Sequence, residues 1–263
     1  MSVRNATATD PRTMDHIIGA DEQGLRSAID PGIRRLAIVV GLPLVDGVFI
    51  TLVLAGVLDS LSGIVLTGLV IFGGTAAAAV VIADCPGQPR RRLLAVAGLG
   101  LVIVPVAAIQ AMVAPTLATW IDIVVLERFA AIVLTIIAID MLGLRIGRYL
   151  PGPGPVVILA LLVSLNPTNG LVLAADYTLL VNGAIAALIG IGAISLWIIL
   201  GHHLRAFLRP DRIRFAGGLA LVALAIAIVT PIPTELAIVA LVVGLLFGVT
   251  FDTEKRTLDV QVW

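Results

Sequence analysis

Three polar groups interrupt long apolar runs of this chain: Asp46, the adjacent Glu127 and Arg128, and the cluster Asn166-Pro167-Thr168-Asn169-Gly170. Charged side chains in such surroundings are costly unless they meet each other, water or a ligand, which makes each group a binding candidate. Asp46 stands between Pro43 and Gly47. Pro43 cannot donate to the Val39 carbonyl and Gly47 loosens the next turn, so a helix is expected to break there. Two roles are open for the carboxylate: a binding or proton-carrying group facing a polar cavity, or a structural group that fixes helix packing. Pro167 likewise frees the Val163 carbonyl, beside the uncharged donors and acceptors of Asn166, Thr168 and Asn169. That cluster reads as a midplane site, as a plain proline kink, or as a helix that ends early in a polar turn. Arg128 has no carboxylate at helical spacing on its own face, because Glu127 is turned about 100° away and Asp122 and Asp140 are too distant. A central arginine without a partner costs roughly 2.5–3.5 kcal/mol or more, so a carboxylate from another helix is expected, with Asp46 foremost, or else a bound anion.

The elements that must hold these groups are transmembrane helices. The chain is 59% hydrophobic with a mean hydropathy of +1.11. Apolar runs of about 16 to 25 residues, the length that crosses a bilayer, fall at 36–58, 64–83, 93–113, 119–143, 155–175, 179–200, 215–230 and 235–250. With eight spans, every basic residue except Arg128 falls on one side: Arg4, Arg12, Arg26, Arg34 and Arg35; Arg90, Arg91 and Arg92; Arg145 and Arg148; Arg205, Arg209, Arg212 and Arg214; Lys255 and Arg256. Loops rich in lysine and arginine stay cytoplasmic, which puts both termini inside. The expected fold is therefore all-α, a polytopic transmembrane helix bundle of about eight spans in the cell membrane.

A flexible cytoplasmic tail (1–32) precedes the bundle (33–251), and a short cytoplasmic tail (252–263) follows it. Within the bundle, 33–143 and 149–250 read as two halves of four spans. Basic loops fall at equivalent places in each half, outer turns carry Pro115-Thr116 and Pro233-Thr234, and the halves open on Gly41-Leu42-Pro43 and Tyr149-Leu150-Pro151. Such a 4+4 arrangement is a parallel repeat about an axis along the membrane normal. Glycines and alanines are dense in the spans, as close helix approach in lipid requires, and Gly244 with Gly248 forms a GxxxG pattern.

Several chemistries are excluded. There is no HExxH, G-x-S-x-G or P-loop pattern, which argues against common metalloprotease, hydrolase and ATPase mechanisms. Lys255 is the sole lysine and lies in the tail, so no retinal Schiff base forms inside the bundle. His202-His203 lack further metal ligands nearby, and Cys85 has no disulfide partner. No cofactor, metal site, enzymatic activity or nucleic-acid partner is expected. Asp140, with Arg145 a turn and a half further on, reads as a snorkelling interfacial charge near an inner helix end, and Asp59 and Glu235 as solvated outer ends.

The stretches Leu42-Pro43-Leu44-Val45-Asp46-Gly47, Leu54-Ala55-Gly56-Val57-Leu58-Asp59-Ser60, Phe72-Gly73-Gly74 and Glu127-Arg128-Phe129-Ala130-Ala131 resemble a family of haloarchaeal multi-pass membrane proteins of uncharacterised function. The resemblance covers about 36–250. It implies an archaeal cell membrane and leaves the substrate open. The leading expectation is a secondary transporter or permease for a small solute or ion, with the lipid bilayer as its surroundings. Its site would combine Asp46, Glu127, Arg128, Asn166, Thr168 and Asn169, with Pro43, Gly47, Pro167 and Gly170 as helix breaks. The rival is a non-transporting membrane scaffold or assembly factor whose buried charges are structural. The oligomeric state stays open.

Overall fold

Helix α1 is described over Pro31–Val45. It carries Pro43 within it and stops at Asp46-Gly47, where Gly47 takes a left-handed φ of 80°. Helix α2 (Val48–Leu54) restarts at once. A computed structural model of the chain describes residues 31–73, 89–166, 174–204, 210–230 and 232–246, and all regular elements among them are helical. After a 3-10 turn (Val57–Asp59), α3 (Leu61–Leu66) is capped by Ser60 and runs on as a π-helix over Thr67–Phe72. Helix α4 (Pro89–Ala118) has 30 residues, or about 45 Å at 1.5 Å per residue. Helix α5 (Ile123–Met141) is N-capped by Asp122, whose Oδ1 accepts from the Val124 and Val125 N–H groups. A 3-10 turn (Arg145–Tyr149) leads to α6 (Pro153–Ser164). Then follow α7 (Tyr177–Leu204), capped by Asp176, α8 (Pro210–Val229) and α9 (Glu235–Leu246).

Among the described residues four helical stretches are long and apolar enough to cross a membrane: Arg34–Leu54 across the α1–α2 break, Arg90–Ala118, Tyr177–Leu200 and Arg212–Val229. The 19 residues of α5 are long enough but include Glu127, Arg128 and Asp140. Three apolar stretches are shorter: Leu61–Phe72, Pro153–Ser164 and Glu235–Leu246. The fifth of the expected spans, 155–175, is thus not one continuous helix. Helix α6 leaves helical geometry at Leu165, with ψ 121°; Pro167 disfavours the α region for Asn166, and helices usually end at or before the residue that precedes a proline.

Helix α2 lies at the centre. Val48, Phe49, Leu52, Val53 and Leu54 are all buried, and the Phe49 ring meets Phe72 of the π-helix at 5.2 Å between centroids. Outer helices are apolar where they face away from this core. Leu94 and Leu101 on α4 are 74% and 79% exposed, and α6 and α7 show Leu162 and Leu196 in the same way. An outer surface so extensively apolar suits lipid contact better than water.

Small residues set the close crossings, as expected, though not all of them do so. A Cβ on Gly183 of α7 would stand 2.6 Å from Ala111 Cβ of α4, and one on Gly190 would collide with Phe72 Cβ and lie 2.8 Å from the Gly68 carbonyl. Gly244 of α9 backs onto Ala216 of α8, so that half of the GxxxG pattern serves packing within the chain. Gly98 and Gly192 face open space.

Paired contacts show which ends lie together. At one end, the Asp122 N–H donates to the Ser164 carbonyl (2.7 Å), Thr116 Oγ1 bonds Ala174, Asn182 Nδ2 donates to the Leu58 carbonyl, and Ser62 Oγ lies 2.8 Å from Thr234 Oγ1. At the other, Arg214 meets Asp140.

Candidate functional site

The α1–α2 break builds a polar joint inside the first long apolar stretch. In an unbroken helix the Val48 N–H would bond the Leu44 carbonyl. Here the Val48 N–H bonds Asp46 Oδ1 at 3.1 Å instead, and Gln110 Nε2 of α4 supplies Leu44 with a donor at 2.9 Å. Thr51 closes the new turn, its N–H and Oγ1 both donating to the Gly47 carbonyl. Asp46 is 12 residues beyond Arg34, about 18 Å along the helix; with Arg34 at a membrane surface that would be near the middle of a hydrocarbon layer about 30 Å thick. Since Nε2 must face the carbonyl, Gln110 Oε1 is turned away, and among the described residues it is buried without a partner.

Helix α6 starts against this joint. A Cβ on its Gly154 would touch Asp46 Cβ at 3.4 Å, and Val157 Cγ1 packs 3.0 Å from the Cβ position of Gly47. The first turn of α6, opened by Pro153, therefore abuts the Asp46 side chain with the positive end of its peptide dipoles. The first and fifth expected spans do face each other, through Gly154 and Val157. Asn166 lies elsewhere. Its N–H donates to the Trp120 carbonyl at 2.7 Å, beside the α4–α5 turn, and twelve residues of α6 separate it from Gly154, about 18 Å. Among the described residues Asp46 and Asn166 therefore stand at opposite ends of α6, which stops at Ser164. Pro167, Thr168, Asn169 and Gly170 lie outside the described residues.

The structure does not bring Arg128 to Asp46. The buried face of α5 is Leu126, Ala130, Val133, Leu134 and Ala138. Arg128 is two residues, about 200°, round from Leu126, and it is exposed; among the described residues it makes no hydrogen bond or ion pair. It stands six residues from Asp122, about 9 Å along α5, within reach of the helix end for a long, outward-bending side chain. Glu127 is half-buried beside it.

Two members of the joint escaped the sequence reading. Gln110 is an uncharged polar residue in an apolar run, a signal that could have been taken up. Gly154 belongs to Pro151-Gly152-Pro153-Gly154-Pro155, which marks a helix start but not what that start touches. A second polar group gathers at the opposite end of the bundle from Arg214, where Ser60, Ser62 and Thr234 bond one another. Nearby, the Asp59 carboxyl is pushed above the ordinary carboxylate value, first by partial burial and then by the Asp176 carboxylate. The residue as a whole is nonetheless exposed, so the effect on stability is small. Among the described residues no cluster of three or more His, Cys, Asp or Glu side chains could hold a metal ion.

Residues 103–229 match a family of unknown function, DUF5794. The matched part runs from within α4 to the end of α8, including Gln110, Arg128 and α6 but not Asp46. No curated protein and no solved structure matches the chain.

Proposed function

We propose that the protein is a multi-pass integral membrane protein that passes a small solute or ion across the cell membrane, without catalysis, through a site at the α1–α2 joint. One observation carries the reading: an interrupted helix presents a carboxylate at mid-depth, and the first turn of the half-length α6 abuts it. Broken helices whose ends meet near the midplane are how many secondary transporters hold substrates and coupling ions. Asp46 and the buried Gln110 Oε1 supply the polar groups of such a site, while Arg128 and Asn166 stand apart from it. Eight membrane-inserted segments, both termini on the arginine-rich face, and two halves over 33–143 and 149–250 belong to the same reading. The carboxylates at Asp59, Asp122, Asp176 and Glu235 then mark the outer face.

A scaffold or assembly role is the second reading. It is favoured by the bonds that the break already makes, since Val48 N–H and the Leu44 carbonyl both have partners within the chain.

Proteoliposomes with a trapped pH dye, challenged with Na⁺, K⁺ and small-acid gradients, separate the two. Transport requires a protein-dependent signal that Asp46→Asn removes while the folded protein survives. A companion variant, Asp46→Cys with Cys85→Ser, should react with a water-soluble thiol reagent. Silence in every gradient together with an inert cysteine would leave the scaffold. Topology is tested by cysteines at Leu61 and Ile232, which should label from outside; Ser62 is unsuited because it is buried.

A further inference from the structure

At the basic end of the bundle, α5 stops in a way that removes its own acceptors. The Leu144 N–H returns to the Ile139 carbonyl and the Gly143 N–H to the Asp140 carbonyl, a Schellman closure in which Gly143 takes a left-handed φ of 68°. Arg214 of α8 adds a third bond, Nη2 to the Asp140 carbonyl at 3.2 Å. The negative end of α5 is thereby spent. Beside it lies a cleft of about 580 Å³ lined by Asp140, Gly143, Arg145, Gly147, Tyr149 and Arg214. Arg145 makes no hydrogen bond or ion pair among the described residues, and Arg214 has further N–H donors beyond the one it spends on Asp140. Two guanidiniums against one carboxylate leave the lining with a net positive charge. At Gly143 a side chain would meet nothing, so the wall is open to close approach.

The rim is apolar. Leu144, Ile146 and Tyr149 are 51%, 64% and 89% exposed, next to the arginines in sequence. Exposed apolar side chains interleaved with arginine are the pattern of a segment lying at a membrane surface.

We propose that this cleft binds a phosphate oxyanion, and specifically the phosphodiester headgroup of an anionic phospholipid in the cytoplasmic leaflet. Arg145 and Arg214 hold the phosphate oxygens, Tyr149 donates from the rim, and Leu144 and Ile146 lie against the acyl chains. Arginine suits the task because its planar fork presents parallel donors to phosphate, and basic clefts between helix ends on the cytoplasmic side are the sites that take lipid headgroups. The inference rests on the membrane placement proposed above and not on transport.

The test uses the purified full chain in nonionic detergent, with melting temperature as readout. Dioctanoyl-phosphatidylglycerol should stabilise it at lower concentration than dioctanoyl-phosphatidylcholine, and inorganic phosphate should have little effect. Arg145→Gln should weaken the phosphatidylglycerol response about tenfold, as loss of a charge-assisted bond implies. Arg91→Gln, an exposed arginine on α4, should leave it unchanged. If Arg214→Gln does not fold, Arg214→Lys, which keeps the charge and loses the fork, should show an intermediate loss. Phosphate matching phosphatidylglycerol would uphold the oxyanion site and assign it to a soluble ligand. Equal responses to the two lipids, or an Arg145→Gln variant that responds as the wild type does, would overturn the proposal. None of these readings depends on solute flux, so transport can fail while the site stands.

Discussion

Gln110 Nε2 donates to the Leu44 carbonyl at 2.9 Å, in the place that the Val48 N–H would take in an unbroken helix. A side chain from α4 thus completes the backbone bonding of α1, and the break depends on a residue 66 positions away in sequence. Gln110→Leu should leave that carbonyl without a donor and cost about 1–3 kcal/mol in a denaturation series, towards the lower figure because the orphaned Oε1 goes with it. A variant as stable as the wild type would show that the latch contributes nothing.

Asp46 joins two properties that substitution can separate. Asp46→Ala removes the acceptor for the Val48 N–H and should cost about 0.5–2 kcal/mol, the range for lost helix caps. Asp46→Asn keeps an oxygen acceptor and should retain most of that stability. Equal melting of Ala and Asn variants would mean that charge, not capping, is what the fold uses.

The crossing of α7 with the π-helix is set by Gly190. Gly190→Ala drives a methyl into Phe72 and should destabilise by about 1–3 kcal/mol, the usual cost of overpacking. Gly192→Ala, two residues on and facing open space, should be neutral or stabilising by up to about 1 kcal/mol from helix propensity. Reversal of that order would mean that the two glycines occupy opposite faces from those described.

Asp59 adds a small pH-dependent contribution to stability. Its folded value is raised, so its contribution to stability is full below the ordinary carboxylate range and is lost as pH rises through the raised value. Asp59→Asn should therefore melt slightly above wild type at pH 7, and the two curves should converge below about pH 4. A difference that grows in acid would contradict the sign.

Much of the architecture could be read from residue order. Pro43 and Gly47 around Asp46 announce the helix break, whereas an early end of α6 is only one of the three readings that Asn166-Pro167 leaves open. Arg145 and Arg214, expected on one basic face, line one cleft beside the end of α5. Arg128 shows the limit. Its depth follows from counting, but its direction does not, since α5 is apolar nearly all round and no polar stripe says which face turns inward. The contacts of Gln110 with Leu44 and of Gly154 with Asp46 depend on the sliding of one helix past another, which small apolar residues permit at many registers.

Helix α6 has one more consequence. Its 12 residues rise about 18 Å, well short of a hydrocarbon layer of about 30 Å. Ile158, Leu159, Leu162 and Val163 are exposed on its outward face, and in a bilayer they would meet acyl chains over that short height alone. On that flank, lipids of ordinary length would have to compress or tilt, while α4, at about 45 Å, would force the opposite distortion or lean over. Inserted as proposed, the protein carries a thin flank and a thick one. Its stability should then depend on acyl-chain length, and it should settle where the bilayer already changes thickness or can be made to.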